Sequence, residues 1–514
     1  MLSKKAKLFT VLCAAAMLMA SCSSGGESKT ETSTGTTGGG DTSTASQENT
    51  GSGEPVTLTA LSMYFTAEVP NRTDVLDKIA ELTGYNLDIT WVPSTGYNDK
   101  LSTMIASDAL PMLTVVSDLK ATAFVSACRS GMFWQVDDYI DDYEGLSSKN
   151  PDVYDNTRVD GNLYGIYRHR ALVRQGIIYR ADWLEEEGLS VPKTPDEMMN
   201  VIRVFSERCD YGVALGGQGG LPEGIGYMAI WNGAPNGWGV ADDGKVKPAF
   251  FFDEYKEAMD WFRDMYAEGL INQNFAELTA EDAKKLVNTE QTGFAFIYVD
   301  DIVNRFNDLA VKNPDAKLDF SLDLYGNDNV KRSIATAGYN GVIAMSKTAV
   351  PDEETLRQCL DYIDKTATPE FNDLMLYGIE GVDHKITDGK FDTTDQAMLE
   401  NYSKGANQYM QLAAFDTNNI HTKPVITSEI QMKVYEEEGG KHDADAVHNV
   451  TQPYLSQSWT EMGGDLNQIS NDAITKYIMG VIDEAGWEDA KQTWLDQGGQ
   501  AVIDEYTEAY NANN

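Results

Sequence analysis

Between Val56 and Val116 the apolar positions switch repeatedly between a period of two and helical spacing. Val56, Leu58 and Ala60 alternate with polar residues, Thr73 to Leu82 follows a helical stripe, and Leu87, Ile89 and Trp91 alternate again. A strand, a helix and a strand in that order predict a parallel βαβ unit. Tyr97, Leu101, Met104 and Ile105 then share one helical face, and Pro111 ends that helix before a third strand, Leu113 to Val116. The first lobe is therefore expected to be α/β.

After the Gly161 to Gly165 turn, Ile166 to Tyr179 reads as extended and is expected to cross to a second lobe. Thr194, Pro195 and Glu197 make the clearest helix start in the chain: a capping hydroxyl, a first-turn proline and a capping box. Met198, Val201, Ile202 and Phe205 mark that helix's buried face. Phe294 to Val299 and Gly341 to Met345 are short apolar strands with more helices behind them, so the chain is expected to return between lobes. From Pro351 the pattern is mainly helical. Leu356, Cys359, Leu360 and Ile363 share a face, as do Trp487, Ala490 and Trp494, and Gly498 with Gly499 interrupts before Ile503, Tyr506 and Tyr510. The expected partition is residues 54–165 plus about 295–350 in the first lobe, and 166–294 plus about 351–514 in a second, helix-rich lobe.

The N-terminus has a different character. Lys4, Lys5 and Lys7 precede an apolar and small-residue run, Leu8 to Met19, of about 12 residues, which suits a signal peptide and is too short to span a bilayer. Ala20, Ser21 and Cys22 follow, so residues 1–22 resemble a bacterial lipoprotein signal with a lipobox, in which Cys22 carries lipid; Met19 departs from the usual Leu, Val or Ile. Residues 23–53 are almost entirely small and polar, a disordered Ser/Thr/Gly-rich tether reaching roughly 30 Å. The expected location is the extracytoplasmic face of a bacterial cell membrane, lipid-anchored.

Asp and Glu number 80 against 40 Lys and Arg, a formal charge of -40 that argues against a nucleic-acid partner. Outside the N-terminal segment the cysteines are Cys128, Cys209 and Cys359, an odd set without CxxC spacing. His169, His384, His421, His442 and His448 are scattered without metal-ligand spacing, so neither a metal nor another cofactor is expected.

Several segments together resemble the extracellular solute-binding proteins of family 1, in particular the LipO-like lipoproteins of oligosaccharide ABC importers. They are Tyr179 to Leu184 with Gly188, Leu189 and Pro192 to Thr194; Gly233 to Trp238 with Asp243 to Lys245; Glu268 to Ile271; Tyr377 to Gly381; and Lys476 to Gly480 on to Tyr510. The resemblance implies an α/β, two-lobe periplasmic-binding-protein-like fold, with hinge strands, a ligand cleft between the lobes and a permease that docks the closed form. Many relatives carry a calcium loop after the helix that starts at the Thr194 equivalent. Here Glu207 to Gly212 stands in its place without the array of oxygen ligands calcium needs.

A sugar offers hydroxyls at its edge and an apolar face, so its sites combine aromatic platforms with planar polar groups. Trp231, Asn232, Asn236 and Trp238 lie in a stretch rich in Gly and Pro, which reads as a loop carrying two indoles. Tyr64 and Phe65 follow the first strand, and Tyr298 and Asp300 end the Phe294 strand, at carboxyl ends where open α/β sheets bind ligands. Tyr339 precedes another strand. Arg168 and Arg170 point to one face if extended, and as bidentate carboxylate binders they fit a uronate-containing sugar; ordinary ion pairing with the many acids is the plainer explanation. The expected function is a monomeric, non-enzymatic binder delivering an oligosaccharide to ABC permease subunits. A peptide-binding lipoprotein of the same fold is the alternative, and a surface glycoside hydrolase, which needs two suitably spaced carboxylates, is a weaker one.

Overall fold

The computed structural model describes residues 55–216, 224–414, 422–423, 425–426 and 429–513. The expected signal peptide, Cys22, the tether and His421 lie outside the described residues.

The first core forms on one five-stranded sheet. Strand β1 (Val56–Tyr64) pairs in parallel with β2 (Tyr85–Pro93) across helix α1 (Thr73–Thr83), so the expected βαβ unit is present. On its other side β1 pairs in parallel with β3 (Leu113–Val116), which follows helix α2 (Tyr97–Ala106). The Tyr97 hydroxyl donates toward the Leu61 and Val115 carbonyls, at 3.2 and 2.6 Å, pinning α2 to both strands. The strand Tyr339–Met345 then pairs antiparallel with β3 and with β4 (Ile166–His169), which closes the sheet. All four residues of β3 are buried, as a short central strand covered on both faces requires.

The second core forms on a three-stranded sheet. Strand β5 (Gln175–Arg180) lies between Phe294–Tyr298 and Leu318–Ser321, antiparallel to both. The helix Pro195–Ser206 begins with the expected capping box: the Thr194 hydroxyl accepts the Glu197 N–H while Glu197 caps in return. Its buried face meets Trp183, whose ring sits edge-on to Phe205 at 5.3 Å.

The expected partition of the chain needs correction at both late boundaries. Leu356, Cys359, Leu360, Tyr362 and Ile363 pack in the first core with Ile79 and Val115, whereas Phe296, Leu324 and Ile334 belong to the second. The Phe294 strand falls on the other side from the one expected because an apolar run does not say which strand it will pair with. An amphipathic stripe likewise specifies a buried face and not the sheet it covers.

Among the described residues the chain passes between the cores at 170–174 and at 335–338. These two passes form a hydrogen-bonded ribbon: Arg170 N–H donates to Gly338 O at 3.0 Å and Thr336 N–H to Leu172 O at 2.7 Å, with a bridge between Val173 and Ala335. Past the ribbon the chain enters its strand through Gly341, which has φ of +84°, and a Cβ there would run into the Val116 carbonyl oxygen. Gly341→Ala is therefore expected to lower the unfolding free energy by about 1–3 kcal/mol or more, read as a drop in thermal midpoint.

Candidate functional site

Strand direction decides which residues meet. β1 and β3 run the same way and end at Tyr64 and Val116; the Tyr339–Met345 strand runs against them and so begins at that same edge, and β4 ends there with Arg168 and His169. One edge of the first sheet thus gathers Tyr64, Phe65, Arg168 and Tyr339, and the ribbon leaves from it carrying Arg170. In the second sheet Gln175 pairs with Tyr298, so the strand end bearing Tyr298 and Asp300 is the one that receives the ribbon. Two cavities open between these edges, and the start of the Tyr339 strand separates them.

The first cavity, about 350 Å³, is lined by Arg168, Arg170, Arg174, Asp300, Asn340 and Glu438 among others. Arg174 is neutralised: its guanidinium pairs with Asp300, lies 3.9 Å from Glu438 and covers the Tyr298 ring at 4.7 Å. Arg168 is not neutralised. It is 5% exposed, donates through Nη1 to the Asn340 carbonyl at 2.6 Å and through Nη2 to Gln411 Oε1, and its Nε finds no hydrogen-bond partner among the described residues. Burial pulls its guanidinium down to about 10, with neighbouring Arg170 adding to the effect. Arg170 is exposed, and its guanidinium makes no hydrogen bond or ion pair with a described residue. Opposite them, burial and the charge of Asp300 push the Glu438 carboxyl up to about 8, and one of its oxygens is likewise without a hydrogen-bond partner among the described residues. With Glu438 protonated the cavity carries an excess of positive charge inside a strongly acidic chain.

The second cavity, about 440 Å³, has Ser117, Asp118, Lys120 and Tyr339 on the side of the first core and Trp238, Trp459, Asn449 and Gln452 facing them. Trp238 stands edge-on to Trp459 at 5.6 Å and to Tyr506 at 4.9 Å, and Gln452 Nε2 donates to the Tyr339 hydroxyl at 3.1 Å. Aromatic rings beside amide and carboxylate groups suit a polyhydroxylated ring with one apolar face. Of the expected residues, Trp238 and Tyr339 line this cavity, and Arg168, Arg170 and Asp300 line the first.

The others fall elsewhere. Trp231 was expected in a loop, yet Ile225–Asn232 is a helix ended by Gly233 at φ of +115°. That helix carries Trp231 into the second core, 1% exposed against Tyr227 and Phe296, where it lines neither cavity. The helix thus ends at Gly233, two residues after the expected start of the loop. Asn232 ends the same helix, half-buried and outside both cavities. Asn236 is occupied by structure: its Nδ2 donates to the carbonyls of Ala335 and Val447 at 2.7 and 2.8 Å, tying its loop to the ribbon. Tyr64 is half-buried, and Phe65 is 60% exposed with its N–H held by Gln408 Oε1 at 2.8 Å. Tyr298 serves as the ring under Arg174.

Sequence reasoning missed Trp459, Asn449, Gln452, Asp118 and Glu438. Asp118 follows β3 and was within reach of the sheet-edge rule. Trp459 looks like any first-turn residue of the helix Gln457–Ile478, where Ser456 Oγ accepts its N–H at 2.9 Å, and only tertiary packing sets it beside Trp238.

The sequence profile described as bacterial extracellular solute-binding protein matches residues 70–363. The chain is 32% identical over 450 residues, 86% of its length and 89% of the relative's, to the polygalacturonan/rhamnogalacturonan-binding protein YtcQ of Bacillus subtilis (strain 168). It is 31% identical over 487 residues, 90% of its length and 94% of the relative's, to lipoprotein LipO of the same organism. The fold resembles the crystal structure of an extracellular solute-binding protein from Bifidobacterium longum subsp. infantis, with a TM-score of 0.66 and 14% identity over 89% of this chain and 98% of that one.

Glu438 holds its proton in the folded protein to a higher pH than in the unfolded chain. Unfolding therefore releases a proton between about 4.5 and 8, and the contribution of Glu438 to stability falls as pH rises through that window. Glu438→Gln removes this loss. Its thermal midpoint, relative to the unaltered protein, is expected to rise from pH 5 to pH 8, and an offset that stays constant with pH would contradict the assignment.

Proposed function

The chain belongs to the bacterial extracellular solute-binding protein family, and from that premise we propose that it captures a uronate-bearing oligosaccharide in the cleft between its two cores and delivers it to an ABC importer. One observation carries the reading: an aromatic cavity and a cavity with an unneutralised buried arginine flank the same strand. A buried guanidinium with an unsatisfied N–H is costly to maintain, and a ligand carboxylate supplies the missing acceptor. The relative named for binding polygalacturonan and rhamnogalacturonan supports the acidic character of the sugar. The relative named as a lipoprotein supports attachment through Cys22.

Two alternatives are less well supported. Asp300, the carboxylate beside Glu438, is committed to the Arg174 guanidinium and is not free to serve as the second carboxylate that glycoside hydrolysis needs. A peptide ligand would account for the arginines but leaves the ring-lined cavity without a role.

Titration calorimetry with galacturonic acid, its linear trimer and neutral trisaccharides tests the reading. Trimer binding by the unaltered protein is expected, and both Arg170→Ala and Arg168→Lys should weaken it about 10–100-fold, as loss of a charged hydrogen bond implies. Their affinity for any neutral sugar that binds should stay close to that of the unaltered protein. Binding of neutral sugars or peptides alone would overturn the proposal. Anchoring has its own test: Cys22→Ser protein is expected to leave the membrane fraction for the soluble one.

A further inference from the structure

The cleft continues past the aromatic cavity. Lys120 lines that cavity and also a third one, about 900 Å³, whose walls carry Arg129 from helix α3 (Thr122–Arg129) on one side and Glu461, Glu505 and Glu508 on the other. The aromatic cavity and this third one share Lys120, and the Arg168 cavity lies across the start of the Tyr339 strand from them; we read the three as one groove. It starts at Arg168, passes the Tyr339 strand and the tryptophans, and reaches Lys120 before opening into the 900 Å³ cavity.

The ammonium group of Lys120 is poorly matched for a group in such a place. It donates to the Tyr454 carbonyl at 3.2 Å, and no carboxylate among the described residues lies within ion-pairing distance of it. Asp118, the nearest acidic neighbour in sequence, accepts the Lys120 backbone N–H at 3.0 Å. Burial lowers the pKa of this lysine, with Asp118 acting in the opposite sense. An ammonium has three donors, so donors remain for an oxygen in the groove.

The sheet sets the spacing. β4, the Tyr339 strand and β3 are consecutive neighbours, and adjacent strands lie about 4.7–4.9 Å apart. The ends of β4 and β3, the latter four residues before Lys120, are thus two strand spacings apart, roughly 10 Å between backbones.

We infer that Lys120 is a second anion-binding station in the groove, so that the ligand is an oligosaccharide with at least two carboxylates on different sugar units, one at Arg168 and Arg170 and one at Lys120, with the intervening ring over the aromatic cavity. Lys120 is then a residue that measures chain length. This rests on the reading of the groove as a uronate site.

The test uses the full protein with the uronate monomer and linear trimer and with a neutral trisaccharide. Lys120→Met should weaken trimer binding about tenfold or more while leaving binding of monomer and neutral trisaccharide within about twofold, and Lys120→Arg should restore most of the loss. The circular dichroism spectrum and thermal midpoint of each variant should match those of the unaltered protein. Equal weakening of acidic and neutral ligands would overturn the inference and assign Lys120 to lobe closure against Glu461, Glu505 or Glu508. Unchanged trimer affinity in Lys120→Met would overturn it while leaving the uronate reading intact. Failure of the unaltered protein to bind the trimer at all would overturn both.

Discussion

The ribbon formed by residues 170–173 and 335–338 is the constraint on which the rest of the cleft depends. It is the continuation of two antiparallel strands out of the first sheet, and its backbone hydrogen bonds fix the register in which they leave. A slip of one residue would turn every side chain to the opposite face. Arg168 would then lose the Asn340 carbonyl and Gln411, and Tyr339 would lose Gln452. Asn236 adds a side-chain clamp across the ribbon and Val447, so that a loop of the second core is held against the same element. Both cavities are built on this one register.

The electrostatics follow from where desolvation is tolerated. With twice as many acids as bases, most arginines and lysines find a carboxylate, as Arg174 does with Asp300 and Arg180 with Asp182 and Glu290. Exposed pairs, such as Arg203 with Glu268, contribute little stability. The informative groups are the buried ones that are not matched: Arg168, whose partners are a carbonyl and an amide, and Glu438, which burial and Asp300 keep protonated to high pH. Both face one cavity, so a positive site persists within a protein whose surface is negative.

Much of the α/β order was legible from periodicity alone. The βαβ unit at Val56 to Pro93, the strand Leu113–Val116 and the capping box at Thr194 each rest on local rules of pattern and capping chemistry, and each appears where the residues put it. The site was legible wherever a candidate sat at a strand end, as Arg168 and Tyr339 do, because strand direction converts chain position into location. It was not legible at Trp231, where the glycines and proline that suggested a loop begin one residue after the helix that buries the ring. Trp459 and Glu438 were invisible because nothing local distinguishes them from other residues of their helices.

The residues by themselves determined the periods, the caps, the polar N-terminal stretch and the resemblance to a family, since these depend on neighbours within a few positions along the chain. Only the tertiary structure decided which core the helix Glu353–Lys365 covers, which tryptophan is core and which lines a cavity, and which arginine is left without a carboxylate. Those outcomes depend on contacts between segments tens to hundreds of residues apart. An apolar face or a charge specifies that it needs a partner, and the register of distant strands selects which one it gets.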